Sequence, residues 1–214
     1  MKHRIVLADD HEIILDGLRR ILEPEFEIAA TAADGRALVT EVERLKPEVA
    51  VADISMPLLN GLDALRQCQN ARYRTRYVFL TANPDVALAT QAFRLGASGY
   101  VLKHAAAEEL VVAIREALAG RTYITPRIAN EVLQNLMSHR ADASRDGIGL
   151  TGREREVLQL LAEGKIIKEI AGILNVSPRT VEFHKNNIVA KTGLRTTAEL
   201  ARYAARHGLV SESG

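Results

Sequence analysis

The alternation of strand and helix patterns along residues 1–120 constrains the fold of this 214-residue chain more than any other feature. Five short apolar runs alternate with segments whose apolar residues recur every three or four positions. The runs are RIVLA (4–8), EIAATA (27–32), VAVAD (49–53), YVFLT (77–81) and GYVLK (99–103). Because strand and helix alternate without interruption, the pattern predicts an α/β doubly wound, five-stranded parallel sheet with helices on both faces.

The residues at the carboxyl ends of these strands form the candidate site. Ligands of such sheets bind there, beside the point where the strand order reverses. The first strand ends at Asp9 and Asp10, the third at Asp53, the fourth at Thr81 and the fifth at Lys103. In the order 2-1-3-4-5 the first and third strands are neighbours, so three carboxylates converge. Such a cluster needs a cation, and oxygen ligands with open positions favour Mg²⁺.

This combination of side chains indicates phosphoryl transfer. We expect Asp53 to be the nucleophile and to form an acyl phosphate. Mg²⁺ and Lys103 would neutralise charge on the equatorial oxygens, and Thr81 would donate to one of them. Each residue alone is more often a helix cap, a loop acid or a solvated group, and only their joint placement favours a site. His11 and His104 flank it without metal-ligand companions and are interpreted as solvent or outer-layer residues.

Composition excludes several classes of protein. The single cysteine, Cys68, forms no intrachain disulfide, which suits a reducing compartment. The N-terminal run MKHRIVLADDHE reaches acidic residues too soon for a signal peptide, and no apolar run attains transmembrane length. We therefore expect a soluble, cytoplasmic protein without a membrane partner.

The remainder of the chain predicts a linker and a small all-α domain of four helices. Residues 121–149 contain one short helical pattern followed by the unpatterned run SHRADASRDGIG, which is typical of a tether. Residues 150–214 carry repeated helix-start signals. These signals are Thr151 with Glu154, Ser177 before Pro178, and Thr196 with Glu199.

Within that domain a short helix, a three-residue turn and a polar second helix predict a helix-turn-helix, whose second helix enters the major groove. Val181, His184 and Ile188 should pack inward. Amides and carboxylates on the remaining arc suit base edges, whereas cations suit phosphates. The candidate DNA-binding residues are Arg179, Thr180, Glu182, Phe183, Lys185, Asn186 and Lys191. A merely solvated helix face is the alternative interpretation.

The strand-end residues, with MPLLNG after Asp53 and GASGYVLK at the fifth strand, resemble a response-regulator receiver domain, which has a flavodoxin-like fold. The resemblance covers residues 1–120 and implies that a sensor histidine kinase phosphorylates Asp53. It also implies that Asp10, Asp53 and the backbone carbonyl of Ser55 hold Mg²⁺ with Asp9 in support. Thr81 and Tyr100 would form the switch pair that responds to phosphorylation.

The run LTGREREVLQLLAEGKIIKEIAGILNVSPRTVEFHKNNIVAKTGL resembles the LuxR-type DNA-binding domain. The chain departs from the family pattern at two places. They affect the start of the first helix of the helix-turn-helix and its packing in the core. Ile166 and Ile167 stand where that family commonly has a small capping residue, and Thr192 replaces the usual leucine. A receiver followed by this domain resembles the NarL/FixJ class of response regulators.

Together the two resemblances imply a DNA-binding transcription regulator of a two-component system, switched by phosphorylation of Asp53. It would be no enzyme apart from its own phosphorylation and dephosphorylation. One alternative is a constitutive regulator with a vestigial receiver. Another is a phosphotransferase or phosphatase that uses an aspartyl-phosphate intermediate, although the chain has no insertion long enough for a substrate cap.

Helix-turn-helix regulators usually bind as two-fold dimers. The last helical segment, TAELARYAARHG, places Leu200, Ala204 and His207 near one stripe, which we expect to pair two copies into a homodimer. The receiver is a second candidate dimer surface, and RNA polymerase a further candidate partner. We expect the unphosphorylated receiver to obstruct pairing or the recognition helix. Phosphorylation should draw Thr81 toward the phosphoryl oxygens and let Tyr100 move inward, and residues 138–149 should let the domains separate.

Overall fold

The computed structural model describes residues 2–82, 84–104, 107–138 and 149–210. Strands and helices alternate first: β1 (Arg4–Ala8), α1 (Glu12–Leu22), β2 (Glu27–Ala32), α2 (Gly35–Leu45), β3 (Val49–Ala52), α3 (Gly61–Asn70), β4 (Arg76–Thr81), α4 (Val86–Arg94), β5 (Gly99–Leu102) and α5 (Ala107–Leu118). Next come β6 (Tyr123–Ile124) and α6 (Pro126–Ser138). Four helices follow: α7 (Gly152–Ala162), α8 (Ile167–Leu174), α9 (Pro178–Thr192) and α10 (Thr197–Arg206).

The strands form one parallel sheet in the order β2-β1-β3-β4-β5-β6. This confirms the doubly wound parallel sheet and the predicted order of its first five strands. The sixth strand was not predicted. Tyr123 and Ile124 pair with Gly99 and Tyr100 at the sheet edge. A strand of two residues is too short to show a period of two in the sequence.

The sheet is buried on both faces because alternate side chains of each strand enter different cores. Val6 and Ala8 of β1 join one apolar cluster, whereas Ile5 and Leu7 join the cluster on the opposite face. Helix α6 completes the first cluster with Ile128 and Val132 and packs beside α4. Residues 139–148, which hold most of the predicted tether, lie outside the described residues.

The four C-terminal helices enclose a separate apolar cluster. Thr151 and Glu154 form the predicted capping box of α7, and Gly193 ends α9 in the left-handed conformation with φ 73°. Leu200 and Ala204 of α10 are 1% and 0% exposed and pack within this cluster. The prediction that this stripe pairs two copies is therefore wrong, because its apolar side chains already form the core of their own domain.

Two departures from the expected helix pattern are tolerated. Ile166 occupies the N-cap of α8 with its side chain 63% exposed, and a hydrocarbon side chain accepts no hydrogen bond. The carboxylate of Glu169 still accepts from the Ile166 amide at 2.9 Å, so half of a capping box remains. At the end of α9, Thr192 Oγ1 donates to the Ile188 carbonyl at 2.7 Å and accepts from the Leu194 amide.

Candidate phosphoacceptor site and nucleic-acid interface

The carboxyl ends of β1, β3 and β5 bring two buried carboxylates to one lysine. The Asp53 amide donates to the Ala8 carbonyl at 2.8 Å, which places the end of β3 directly beside β1. Asp9 and Asp53 are 1% and 7% exposed. The Lys103 ammonium lies 2.6 Å from an oxygen of each carboxylate. The lysine therefore compensates two charges that would be costly to bury alone.

Two opposing effects act on the pKa of Lys103. Burial lowers the pKa, because desolvation disfavours the ammonium. Hydrogen bonds to Asp53 and Asp9, and the charges of both carboxylates, outweigh burial and raise the pKa above its ordinary value. Lys103 is therefore a fixed cation at neutral pH, suited to binding an anion rather than to transferring a proton.

The acidic residues also offer a cation site. Asp9, Asp10 and His11 each offer a ligand atom, and these atoms lie within 4.8 Å of one another. His11 Nδ1 is 2.9 Å from Asp10 Oδ1, so the interpretation that His11 lacks metal-ligand companions is wrong. Asp53 lies outside this group, and its Oδ1 accepts from the Ser55 amide at 3.2 Å. Carboxylate oxygens predominate at this edge, which fits a hard cation such as Mg²⁺. His104 lies apart, beside Arg127.

Thr81 and Tyr100 are adjacent inside the domain. Thr81 is 2% exposed and Tyr100 is fully buried, and their side chains are hydrogen-bonded. Burial raises the pKa of the Tyr100 phenol, and the nearby carboxylates of Asp85 and Asp53 act in the same direction. The structure therefore brings the two predicted switch residues together. It also places Tyr100 inside already, in the position expected of it only after phosphorylation.

The solvent-facing arc of α9 contains most of the predicted DNA-binding residues. Arg179, Glu182, Phe183 and Asn186 are all exposed, whereas Val181 and Ile188 are buried as predicted. Thr180 and Lys185 are partly buried at the edges of the arc, and the inward-facing His184 is also partly buried. Lys191 has a further role, because its ammonium lies 2.6 Å from the buried Glu154 carboxylate. This ion pair fixes the end of α9 to the start of α7.

Helix α7 docks on the segment that follows Asp53, a contact that sequence patterns did not reveal. Gln159 is fully buried; its Oε1 accepts from the Asn60 amide at 2.8 Å, and its Nε2 donates to the Met56 carbonyl at 2.9 Å. One turn earlier, Arg155 Nε donates to Asp63 Oδ1 at 2.8 Å. Polar residues such as Arg155 and Gln159 on a helix predict a face exposed to solvent. The sequence of α7 alone therefore does not indicate that they form an interface.

Three further contacts extend this interface between the two domains. Leu58 has φ 65° and packs against the apolar cluster of the helical domain, while its amide donates to Glu163 Oε1 at 3.0 Å. Arg36 of α2 lies 2.5 Å from Glu156 of α7. Past the end of α10, a Cβ on Gly208 would lie 2.4 Å from Leu88 of α4. The helical domain thus contacts both the loop after Asp53 and the helix after Thr81.

Comparison with known protein families follows the same division of the chain. Residues 5–115 match the family model of the response regulator receiver domain, and residues 149–204 match that of bacterial regulatory proteins of the luxR family. The chain belongs to the response-regulator family. Its receiver and LuxR-type helix-turn-helix place this response regulator in the NarL/FixJ class, and it is a two-component regulator that binds DNA.

Full-length relatives support this assignment. The response regulator is 36% identical to the transcriptional regulatory protein MctR of Rhizobium johnstonii, over 100% of this chain and 98% of the relative. It is 38% identical to the oxygen regulatory protein NreC of Staphylococcus aureus, over 97% and 99% of the two chains.

A solved structure of RcsB from Salmonella enterica serovar Typhimurium, bound to a promoter in the presence of the phosphomimetic BeF₃⁻, is also similar. Its TM-score is 0.61 at 26% identity, and the match covers 96% of this chain and 100% of that one. RcsB has also been solved as dimers on DNA, with a TM-score of 0.59. Among the described residues of the present chain, no helix is long and apolar enough to cross a membrane.

Proposed function

We propose that Asp53 accepts a phosphoryl group from a phosphohistidine of a sensor histidine kinase. The carboxylate oxygen of Asp53 would attack phosphorus, the phosphorus–nitrogen bond would break, and the histidine nitrogen would keep the electron pair. The observation that carries this proposal is the Lys103 ammonium, 2.6 Å from both Asp53 and Asp9 at a buried sheet edge. Lys103 would exchange part of its contact with Asp53 for a phosphoryl oxygen, and Thr81 would donate to another.

The acidic edge supports a magnesium ion as the cofactor. Asp10, Asp53 and the Ser55 carbonyl would hold it, with Asp9 in support. The ion would neutralise negative charge as the phosphoryl group approaches the carboxylates. Without such a cation, Lys103 alone faces two carboxylates and an incoming anion. We therefore expect phosphorylation to require a divalent cation.

The interface of α7 supports a mechanism by which phosphorylation controls the DNA-binding domain. Asp53 begins the loop that contains Met56 and Asn60, and Gln159 contacts the backbone of both residues. A rearrangement at Asp53 would therefore alter the partners of Gln159 directly. Because Glu182 and Phe183 remain exposed in the docked arrangement, the receiver would restrain the position of the domain rather than cover its recognition helix.

Docking of α7 would limit how two copies can align on a repeated DNA site, and undocking would allow a homodimer to form there. The RcsB dimers on DNA support the homodimer on DNA. Pairing through α10 would have to use the side opposite Leu200 and Ala204. Arg179, Thr180, Lys185 and Lys191 would contact phosphates. We further propose that residues 1–120 form the phosphoacceptor domain and residues 150–214 the DNA-binding domain. Residues 121–149, whose β6 and α6 pack on the first domain, would link the two, and the protein would be cytoplasmic.

A phosphorylation assay tests this function. The full chain is incubated with acetyl phosphate and Mg²⁺, and its intact mass and affinity for promoter-length DNA are measured. We expect one added phosphoryl group and tighter DNA binding. Asp53→Asn should lose both responses, whereas the matched control Asp16→Asn, an exposed acid on α1, should keep them. Phosphorylation of Asp53→Asn at the wild-type rate would contradict the assignment. DNA binding that is unaffected by phosphorylation would indicate a vestigial receiver.

A further inference from the structure

Five exposed residues of α9 form one continuous stripe, while Pro178 and Lys191 are exposed outside it. Arg179, Glu182, Phe183, Asn186 and Ala190 are all exposed, and each is three or four residues from another member of the set. At 100° per residue they span about 100° of the helix circumference. In the described part of the chain, the side chains of Glu182 and Asn186 have no hydrogen bond or ion pair with another residue. The stripe is therefore free to meet a ligand.

Phe183 is the unusual member of this stripe. Its side chain is 61% exposed, whereas most large apolar side chains of the domain, Ile166 excepted, fill a core. Its ring lies 5.5 Å from the ring of His184 at 68°, an edge-to-face arrangement that supports one side of the phenyl group. Because the ring lies on the same exposed stripe as Glu182 and Asn186, it can make apolar contact with whatever ligand meets that stripe.

Glu182 restricts where this stripe can lie on DNA. A carboxylate is repelled by phosphates and only accepts hydrogen bonds. In the major groove the donors are the amino groups of cytosine and adenine, so Glu182 belongs over base edges. Asn186 lies one turn away, about 6 Å along the axis, and an amide suits the paired donor and acceptor of adenine. Phe183 lies beside both residues and is therefore also in the groove.

We propose that Phe183 recognises the C5-methyl group of a thymine, between the bases read by Glu182 and Asn186. The thymine methyl is the main apolar group that base pairs present in the major groove, and it is the natural contact for a phenyl ring among polar edges. The half-site would then contain a thymine flanked by a base with an exposed amino group and by an adenine. This inference rests on DNA binding through α9.

The test separates the methyl group from the rest of the base. The full chain, treated with acetyl phosphate and Mg²⁺, selects duplexes from a random-sequence DNA library. Each thymine of the preferred duplex is then replaced in turn by deoxyuridine, which removes only the methyl group. One position per half-site should lose about fourfold in affinity, as expected for one buried methyl-sized group. In Phe183→Ala that loss should disappear, and in Phe183→Leu it should persist.

Lys185→Ala is the matched control. It should weaken binding to every duplex while keeping the fourfold difference between thymine and deoxyuridine. The inference about Phe183 would be overturned if no deoxyuridine substitution lowered affinity, or if Phe183→Ala kept the loss of affinity. Either result would leave the proposed function intact. Selection of no preferred sequence in either phosphorylation state would overturn both this inference and the proposed sequence-specific regulation.

Discussion

Gln159 and Asn60 join the DNA-binding domain to the loop that follows the phosphoacceptor. The Asn60 amide donates to Gln159 Oε1 at 2.8 Å, and Asn60 Nδ2 donates to the same oxygen at 3.1 Å. Both residues are at most 1% exposed. Buried polar groups are costly to leave unpaired. These hydrogen bonds therefore stabilise the docked arrangement of the two domains.

Replacing Gln159 should undock the domains without phosphorylation. Gln159→Ala leaves the Asn60 amide and the Met56 carbonyl without their partners, at a cost of about 1–3 kcal/mol for each buried group. We expect a larger radius of gyration in solution scattering and tighter DNA binding in the absence of a phosphodonor. Gln134→Ala, at an exposed position on α6, is the matched control. Scattering and affinity equal to wild type in Gln159→Ala would show that this contact does not restrain the domains.

The buried ion pair between Asp63 and Arg155 should respond unequally to loss of either partner. Asp63 also accepts from Arg66 at 2.8 Å, so Arg155→Met leaves the carboxylate with one cation. Asp63→Asn instead removes the carboxylate that both guanidinium groups contact. Breaking a buried pair typically costs about 3–5 kcal/mol when one charge remains uncompensated. We expect Asp63→Asn to weaken docking more than Arg155→Met in the same scattering measurement; the reverse order would contradict this assignment of charges.

Glu163 should make docking depend on pH. Burial raises the pKa of its carboxyl above the ordinary value, although hydrogen bonds from Gln159 and Leu58 and the charges of Lys165 and Arg36 oppose this. The docked state therefore holds the proton more tightly than the undocked state, so docking strengthens as pH falls through the raised pKa. Glu163→Gln, neutral at all pH values, should flatten this dependence between pH 7 and the ordinary carboxyl range. An unchanged pH profile of scattering in this variant would exclude Glu163 as its source.

Lys103 should be needed both for phosphorylation and for stability without metal. Lys103→Met leaves Asp9 and Asp53 buried without their shared cation. We expect the rate of phosphorylation to fall about 100-fold, as for removal of one preorganised electrostatic group. The melting temperature should also fall in EDTA and recover with Mg²⁺ by more than it does in wild type. A phosphorylation rate within a few-fold of wild type would show that Lys103 does not act on the phosphoryl group.

The sequence predicted those parts of the molecule that local pattern determines. Asp53, Thr81 and Lys103 each follow a buried strand, and strand ends of a parallel sheet meet at one edge, so the site could be assembled from the sequence. The roles of Gln159 and Arg155 could not be predicted, because their partners lie about a hundred positions away on another domain. The prediction for Leu200 and Ala204 failed for a different reason. An apolar stripe indicates that its side chains are buried, but not whether its own domain or a second copy covers them.

Amide hydrogen exchange at Asn60 shows directly whether phosphorylation releases α7, because that amide donates to Gln159 across the interface. Exchange is measured in the full chain with and without acetyl phosphate and Mg²⁺. We predict that phosphorylation accelerates exchange at Asn60 and at Leu58, and that Gln159→Ala exchanges quickly at Asn60 without any phosphodonor. Asp53→Asn should stay protected throughout. Equal protection of Asn60 before and after phosphorylation of wild-type Asp53 would contradict release of α7 as the switch.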